Sequence, residues 1–100
     1  MVQATTPTFV FTLPNSVDTG DMAHVYYSLV QNKVDIEKSD TEITIDGQKV
    51  SVTLTQADTV RLIPGTAKMQ LNWTYSDGTR ACSQIVAINI TENLLREVVE

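Results

Sequence analysis

From Lys68 to Tyr75 the chain alternates without a break. Met69, Leu71, Trp73 and Tyr75 are apolar, and Lys68, Gln70, Asn72 and Thr74 between them are polar. A repeat of two places successive side chains on opposite faces of an extended strand, whereas a helix needs a repeat near 3.6. The segment therefore predicts a strand with one face in a core. Trp73 is expected in that core, because it shares its face with Met69 and Leu71.

The same period recurs along the chain. In "TFVFTL", Phe9, Phe11 and Leu13 share one face, and Thr8, Val10 and Thr12 the other. In "AHVYYSLVQ", Val25, Tyr27 and Leu29 oppose Tyr26, Ser28 and Val30. That strand is apolar on both faces, which predicts a central position. Asn32-Lys33 reads as a tight turn into "VDIEK". Ile43 and Ile45 precede Asp46-Gly47, and Val50, Val52 and Leu54 follow, so "EITIDGQKVSVTL" reads as a hairpin with a type I′ turn. Asp77-Gly78 marks a second hairpin. Its returning strand is apolar at Ile85 and Ala87 on one face and at Val86, Ile88 and Ile90 on the other.

One stretch breaks the pattern. "LTQADTVRLIPG" (residues 54–65) opens with Thr55, places Asp58 three residues on, and stops at Pro64-Gly65, which are the start and stop signals of a helical turn. Such a turn between the fifth and sixth strands suits the crossing from one sheet of a sandwich to the other, with Leu62 as its anchor in the core. It is similar to the crossover segment of antibody variable domains, although the antibody cysteine pair is absent. About seven strands with closely spaced turns predict an all-β, immunoglobulin-like sandwich. It is read as a single domain over residues 1–100. In "TENLLREVVE" the spacing of Leu94, Leu95, Val98 and Val99 suits a short C-terminal helix begun at Thr91 or Asn93, or else an irregular strand.

Composition narrows the function. The formal charge is −5, and the Lys and Arg residues are dispersed from Lys33 to Arg96. A phosphate footprint needs clustered cations, so neither nucleic acid nor an anionic membrane surface is an expected partner. No stretch approaches the roughly 20 apolar residues of a membrane helix. The start, "MVQATTPTFV", has neither the basic nor the apolar region of a signal peptide. Cys82 is the single cysteine and His24 the single histidine, which leaves no intrachain disulfide and argues against a structural zinc site. Cys82 reads as a small buried strand residue, and His24 as a surface or strand-edge residue. No phosphate loop, dinucleotide fingerprint, calcium loop or nucleophile elbow is present, so no cofactor and no small-molecule substrate is expected. Asn72-Trp73-Thr74 and Asn89-Ile90-Thr91 match the glycosylation pattern, but both fall inside predicted strands.

Asp18-Thr19-Gly20 matches the active-site triplet of aspartic proteases, whose retroviral members are all-β homodimers that place one carboxylate from each chain in a shared site. "NITENLL" resembles their C-terminal helix region. The chain departs from that family at Pro14-Asn15-Ser16, where an apolar strand should precede the triplet, at Asp21, where a small residue should follow it, and at Thr91-Glu92. The bland alternative is a polar turn. A carbohydrate-binding module is a third reading, and it needs Trp73 or several tyrosines exposed on one face.

A broader likeness spans nearly the whole chain. "TTPTFVFTLP" (residues 5–14), a tyrosine-rich strand ending in Gln31, and Ile36-Glu37-Lys38 resemble a family of short prophage proteins. "LTQADT" (residues 54–59), Gln70, "DGT" (residues 77–79), Ser83 and the apolar C-terminus extend the likeness. The resemblance implies a small, non-enzymatic β-sandwich encoded among phage structural genes, such as a tail or baseplate accessory piece. It implies a place first in the bacterial host cytoplasm and then in the virion. Its partners would be other phage structural proteins or further copies of itself. Edge strands and apolar ends are the expected contact surfaces: Phe9 and Phe11 near the N-terminus, and Leu94, Leu95, Val98 and Val99 at the C-terminus.

Overall fold

The computed structural model describes residues 1–95. Among these residues eight strands are formed: β1 (Thr8–Thr12), β2 (Met22–Gln31), β3 (Val34–Ser39), β4 (Ile43–Asp46), β5 (Lys49–Thr53), β6 (Gly65–Tyr75), β7 (Arg80–Cys82) and β8 (Val86–Ile90). One α-helical turn, α1 (Gln56–Thr59), lies between β5 and β6, and short 3-10 turns span Thr19–Asp21 and Asp40–Glu42. Two antiparallel sheets pack face to face. One has the order β1-β5-β4, the other β3-β2-β6-β7, with β8 also paired to β6. With β7 and β8 read as one divided strand, this is the immunoglobulin strand order B-E-D and C′-C-F-G without strand A. The all-β sandwich expected from the alternation is therefore formed.

The core fills the space between the sheets. Phe11, Leu13, Ile43, Val50 and Val52 come from one layer, and Val25, Tyr27, Leu29, Ile36, Met69, Leu71 and Trp73 from the other. Each of these strands delivers alternate residues inward. Tyr27 is fully buried and its hydroxyl donates to Met69 Sδ at 3.5 Å. Burial, with the Asp58 carboxylate as a lesser contributor, raises its phenol well above the ordinary tyrosine range.

β2 lies between β3 and β6, as its two-faced apolarity predicts. Its outer face is nonetheless open, and Tyr26 and Val30 are exposed there. The Asp46-Gly47 hairpin forms, with a different turn. Asp46 pairs with Lys49, so the loop is Gly47-Gln48, and of these two only Gly47 has positive φ (58°). That sign pattern is type II′, which needs glycine only at its first central position, and not type I′.

The returning strand is divided. Between β7 and β8, Ser83 turns its hydroxyl back to accept from Leu71 N at 3.0 Å, and Gln70 Nε2 donates to Ser83 O at 2.9 Å. Side-chain bonds replace part of the backbone ladder at this break, which gives eight strands where about seven were expected. Cys82 is exposed, not buried. It faces outward opposite Asn72, and its neighbour Ala81, opposite Trp73, takes the inward position.

The crossover forms as its capping signals predict. Thr55 Oγ1 accepts from Asp58 N at 3.2 Å, and Asp58 Oδ2 accepts from Thr55 N at 2.9 Å. Leu62 is fully buried. Three further side chains hold this segment. Thr59 Oγ1 donates to Thr5 O at 2.6 Å. The buried Gln31 amide bonds both backbone groups of Ile63, donating to its O at 2.7 Å and accepting from its N at 2.8 Å. Gln3, also buried, donates to Leu62 O.

The N-terminal residues run beside the end of β8. Val2 bridges Thr91 in parallel, and Gln3 N donates to Thr91 O at 3.0 Å. Asn93 Nδ2 donates to Gln3 O at 2.9 Å, and Asn93 Oδ1 accepts from Leu95 N at 3.1 Å. Residues 92–95 are therefore an irregular turn with no helix. The remainder of the expected C-terminal element, including Val98 and Val99, lies outside the described residues. No helix among the described residues is long and apolar enough to cross a membrane.

Candidate interaction site

A sheet edge invites pairing unless something blocks it, and proteins commonly block it with charge, bulges or cover. β3 carries Asp35, Glu37 and Lys38. β4 is only Ile43–Asp46, and Asp40 and Glu42 stand just before it. β7 begins at Arg80 and is followed by the break at Ser83, while the chain beyond β8 is bridged by Val2 at Thr91. Among the described residues β1 carries no charge, bulge or cover, and only Pro7 and Pro14 bound it. From Val2 to Val17 the sequence has no Asp, Glu, Lys, Arg or His, and among the described strands β1 pairs with β5 alone.

The hydrogen-bond phase shows which backbone groups that edge presents. Pro7 O accepts from Leu54 N at 3.0 Å and Leu13 N donates to Gln48 O at 2.8 Å. In an antiparallel pair the direction alternates with each residue. Pro7, Phe9, Phe11 and Leu13 thus turn their backbone groups to β5. Thr8, Val10 and Thr12 turn theirs to the open side.

Beside this edge runs a groove of about 610 Å³ between the two sheets. Phe11, Leu13 and Val17 line it from one layer, and Trp73, Tyr75 and Val86 from the other. None of its lining residues is an acid, a lysine or an arginine. Trp73 is 3% exposed, and its buried Nε1 has no hydrogen-bond partner among the described residues. An unpaired buried N–H costs on the order of 1–3 kcal/mol, so an acceptor reaching it would find a free donor.

The contact residues expected from sequence fall in different places. Phe9 packs half-buried against the core, stacked on Tyr27 with centroids 6.5 Å apart. Phe11 is buried and meets Tyr27 edge-on at 6.1 Å. Both rings face inward because the odd-numbered positions of β1 do. The outward residue is Val10, 55% exposed. Leu94 and Leu95 are 91% and 53% exposed, near the N-terminal bridge. The structure does not bring them into the groove beside β1. Sequence reasoning named β1 as an edge but missed Val10 and the Trp73 donor. The charge-free run from Val2 to Val17 was the available signal.

Asp18 caps the 3-10 turn Thr19–Asp21, accepting from Gly20 N at 3.1 Å. It is exposed, and the adjacent Asp21 is bonded to Ser76. The triplet is thus a polar turn within the single chain. His24 is exposed, and its Nδ1 donates to Asp40 Oδ2 at 2.7 Å. Asp40 also accepts from Val25 N at 2.8 Å, and these bonds, the one from His24 foremost, hold its carboxyl below the usual range. This contact anchors the turn before β4 to β2.

Comparison with family models, with curated proteins and with solved structures gave no match to this chain.

Proposed function

We propose that this chain is a non-enzymatic structural or accessory component of a phage-like particle and works by protein–protein contact. The observation that carries this reading is the β1 edge. It is uncharged, left uncovered by the described residues and set beside an apolar groove. A partner strand added there gains backbone hydrogen bonds from Thr8, Val10 and Thr12 and an apolar surface for alternate side chains. The exposed Leu94 and Leu95 offer a second, separate contact. The phage context rests on the likeness of the residues quoted above to short prophage proteins.

The test is to purify phage-like particles from a strain that makes the chain and probe them with an antibody against it. The wild-type chain should co-sediment with the particles. A Val10→Asp chain, folded by circular dichroism, should be depleted from them. Particles that lack the wild-type chain sink the phage assignment. Particles that take up the Val10→Asp chain as readily as wild type sink the role of β1.

A further inference from the structure

We infer that β1 pairs with β1 of a second copy of this chain, antiparallel about a two-fold axis at Val10. This rests on the reading of β1 as the contact edge and names the partner. The sequence Thr8-Phe9-Val10-Phe11-Thr12 is a palindrome. Antiparallel pairing centred on Val10 sets Val10 against Val10, Thr8 against Thr12, and Phe9 against Phe11. The outward-turned backbone groups are those of Thr8, Val10 and Thr12, and they are symmetric about the same point. Each of these facing pairs can exchange both of its hydrogen bonds. Pro7 and Pro14 flank the strand and lack an N–H, which confines the ladder to this short segment.

Charge selects this edge for self-pairing over β3, while the equally uncharged β8 is already bonded at Asn89 and Thr91 by Met1 and Gln3. Copies of a chain with net charge −5 repel one another. Pairing β3 with itself about Glu37 would set acid against acid. β1 brings no charged side chain to the axis, nor do the residues lining the groove beside it. Facing threonines bond readily, as Thr8 and Thr53 do across β1 and β5, Oγ1 to Oγ1 at 2.7 Å. On the inner face, Phe9 of one copy, half-buried in the single chain, lies beside Phe11 of the other at the groove. The two β1-β5-β4 sheets become one continuous sheet, β4-β5-β1-β1-β5-β4. A two-fold contact of this kind is closed and uses up the edge.

The experiment is sedimentation of the full chain over a range of concentrations, with charge-swapped variants. Wild type should reach twice the chain mass. Val10→Asp and Val10→Lys, each placing like charges together at the axis, should each sediment at the chain mass. An equimolar mixture of the two should return to twice that mass, an outcome that only pairing at the shared axis explains. If either Val10 variant loses its fold by circular dichroism, Thr8→Lys/Thr12→Lys and Thr8→Asp/Thr12→Asp make the same exchange. A wild-type chain that stays monomeric up to its solubility limit overturns the inference, as does a dimer indifferent to these charges. A monomeric chain that still enters particles through β1 leaves the contact reading intact and removes only the self-pairing.

Discussion

Lys38 Nζ lies 2.9 Å from Asp58 Oδ2 and ties the edge strand β3 to the crossover turn. The two side chains are 12% and 16% exposed, so the contact is shielded from solvent. Burial alone would raise the Asp58 carboxyl, but the bonds from Lys38 and Thr55 outweigh it and hold it below the ordinary carboxylate range. The bond to Asp58 raises the Lys38 ammonium above its ordinary value, against the opposing effect of burial. Asp58 thus joins two jobs, capping α1 and neutralising an inward-reaching lysine.

The pH dependence follows from those directions. Asp58 contributes stability above the ordinary carboxylate value of about 4, and that contribution is lost as pH falls through its lower folded value. Lys38 contributes below the ordinary lysine value of about 10.4, and its contribution is lost as pH rises through its higher folded value. Asp58→Ala should cost about 1–3 kcal/mol at neutral pH, since it removes a cap and leaves Lys38 without its closest partner. Urea midpoints of wild type and Asp58→Asn should differ at neutral pH and converge in strong acid. A gap that persists undiminished in acid contradicts the assignment.

Leu62 is the apolar anchor of the crossover. Leu62→Ala should destabilise the domain by about 2–5 kcal/mol, as deletion of a fully buried leucine does. Equilibrium unfolding measures it. A loss below about 1 kcal/mol would show that the segment is not seated in the core.

Gln31 holds Ile63 by a two-way amide clamp. Gln31→Ala leaves the Ile63 N–H without that partner and should cost about 1–3 kcal/mol. The sharper readout is hydrogen exchange. The Ile63 amide should exchange faster in the variant, while amides in the middle of β6 slow or quicken only with global stability. Unchanged exchange at Ile63 would count against the clamp.

Trp73 is the sole tryptophan, so its fluorescence reports on the groove wall. Emission should be shifted to shorter wavelength than indole in water, and iodide should quench it weakly. Trp73→Phe removes an N–H that has no partner among the described residues, along with some volume, so it should cost less than the roughly 3–5 kcal/mol of a truncation to alanine. Strong iodide quenching would revive the sugar-platform reading, which a buried Trp73 does not serve.

What could be read in the sequence was local. The Thr55 and Asp58 cap acts within one turn, and the period of two around Met69 to Tyr75 assigns faces without knowledge of neighbours. Gly47 fixed a hairpin, but its turn type depended on which residues of the flanking strands paired. The break at Ser83 escaped because its cause is a hydroxyl reaching across to Leu71, twelve residues away. Cys82 reads as buried from its residue type alone, whereas the register that sets Ala81 opposite Trp73 turns it outward. Among site residues, Phe9 and Phe11 drew attention by their apolarity, which is what turns them inward. Val10 lies between them on the outward face, 55% exposed, where an isolated apolar residue gives the sequence no cue.

The N-terminal bridge has a consequence for engineering. Met1 N donates to Asn89 O at 3.0 Å and Thr91 N donates to Met1 O at 2.8 Å, so the two ends of the sandwich leave from one pole. That pole lies at the Gly65 end of β6, whereas the groove is walled by Trp73 and Tyr75 near its other end. The nearness of Met1 to Thr91 suits circular permutation, with a linker carried from the end of β8 to Met1 and new ends opened at the Asp77-Gly78 loop. It also lets the domain be spliced into a host loop as a cassette that presents its β1 edge outward.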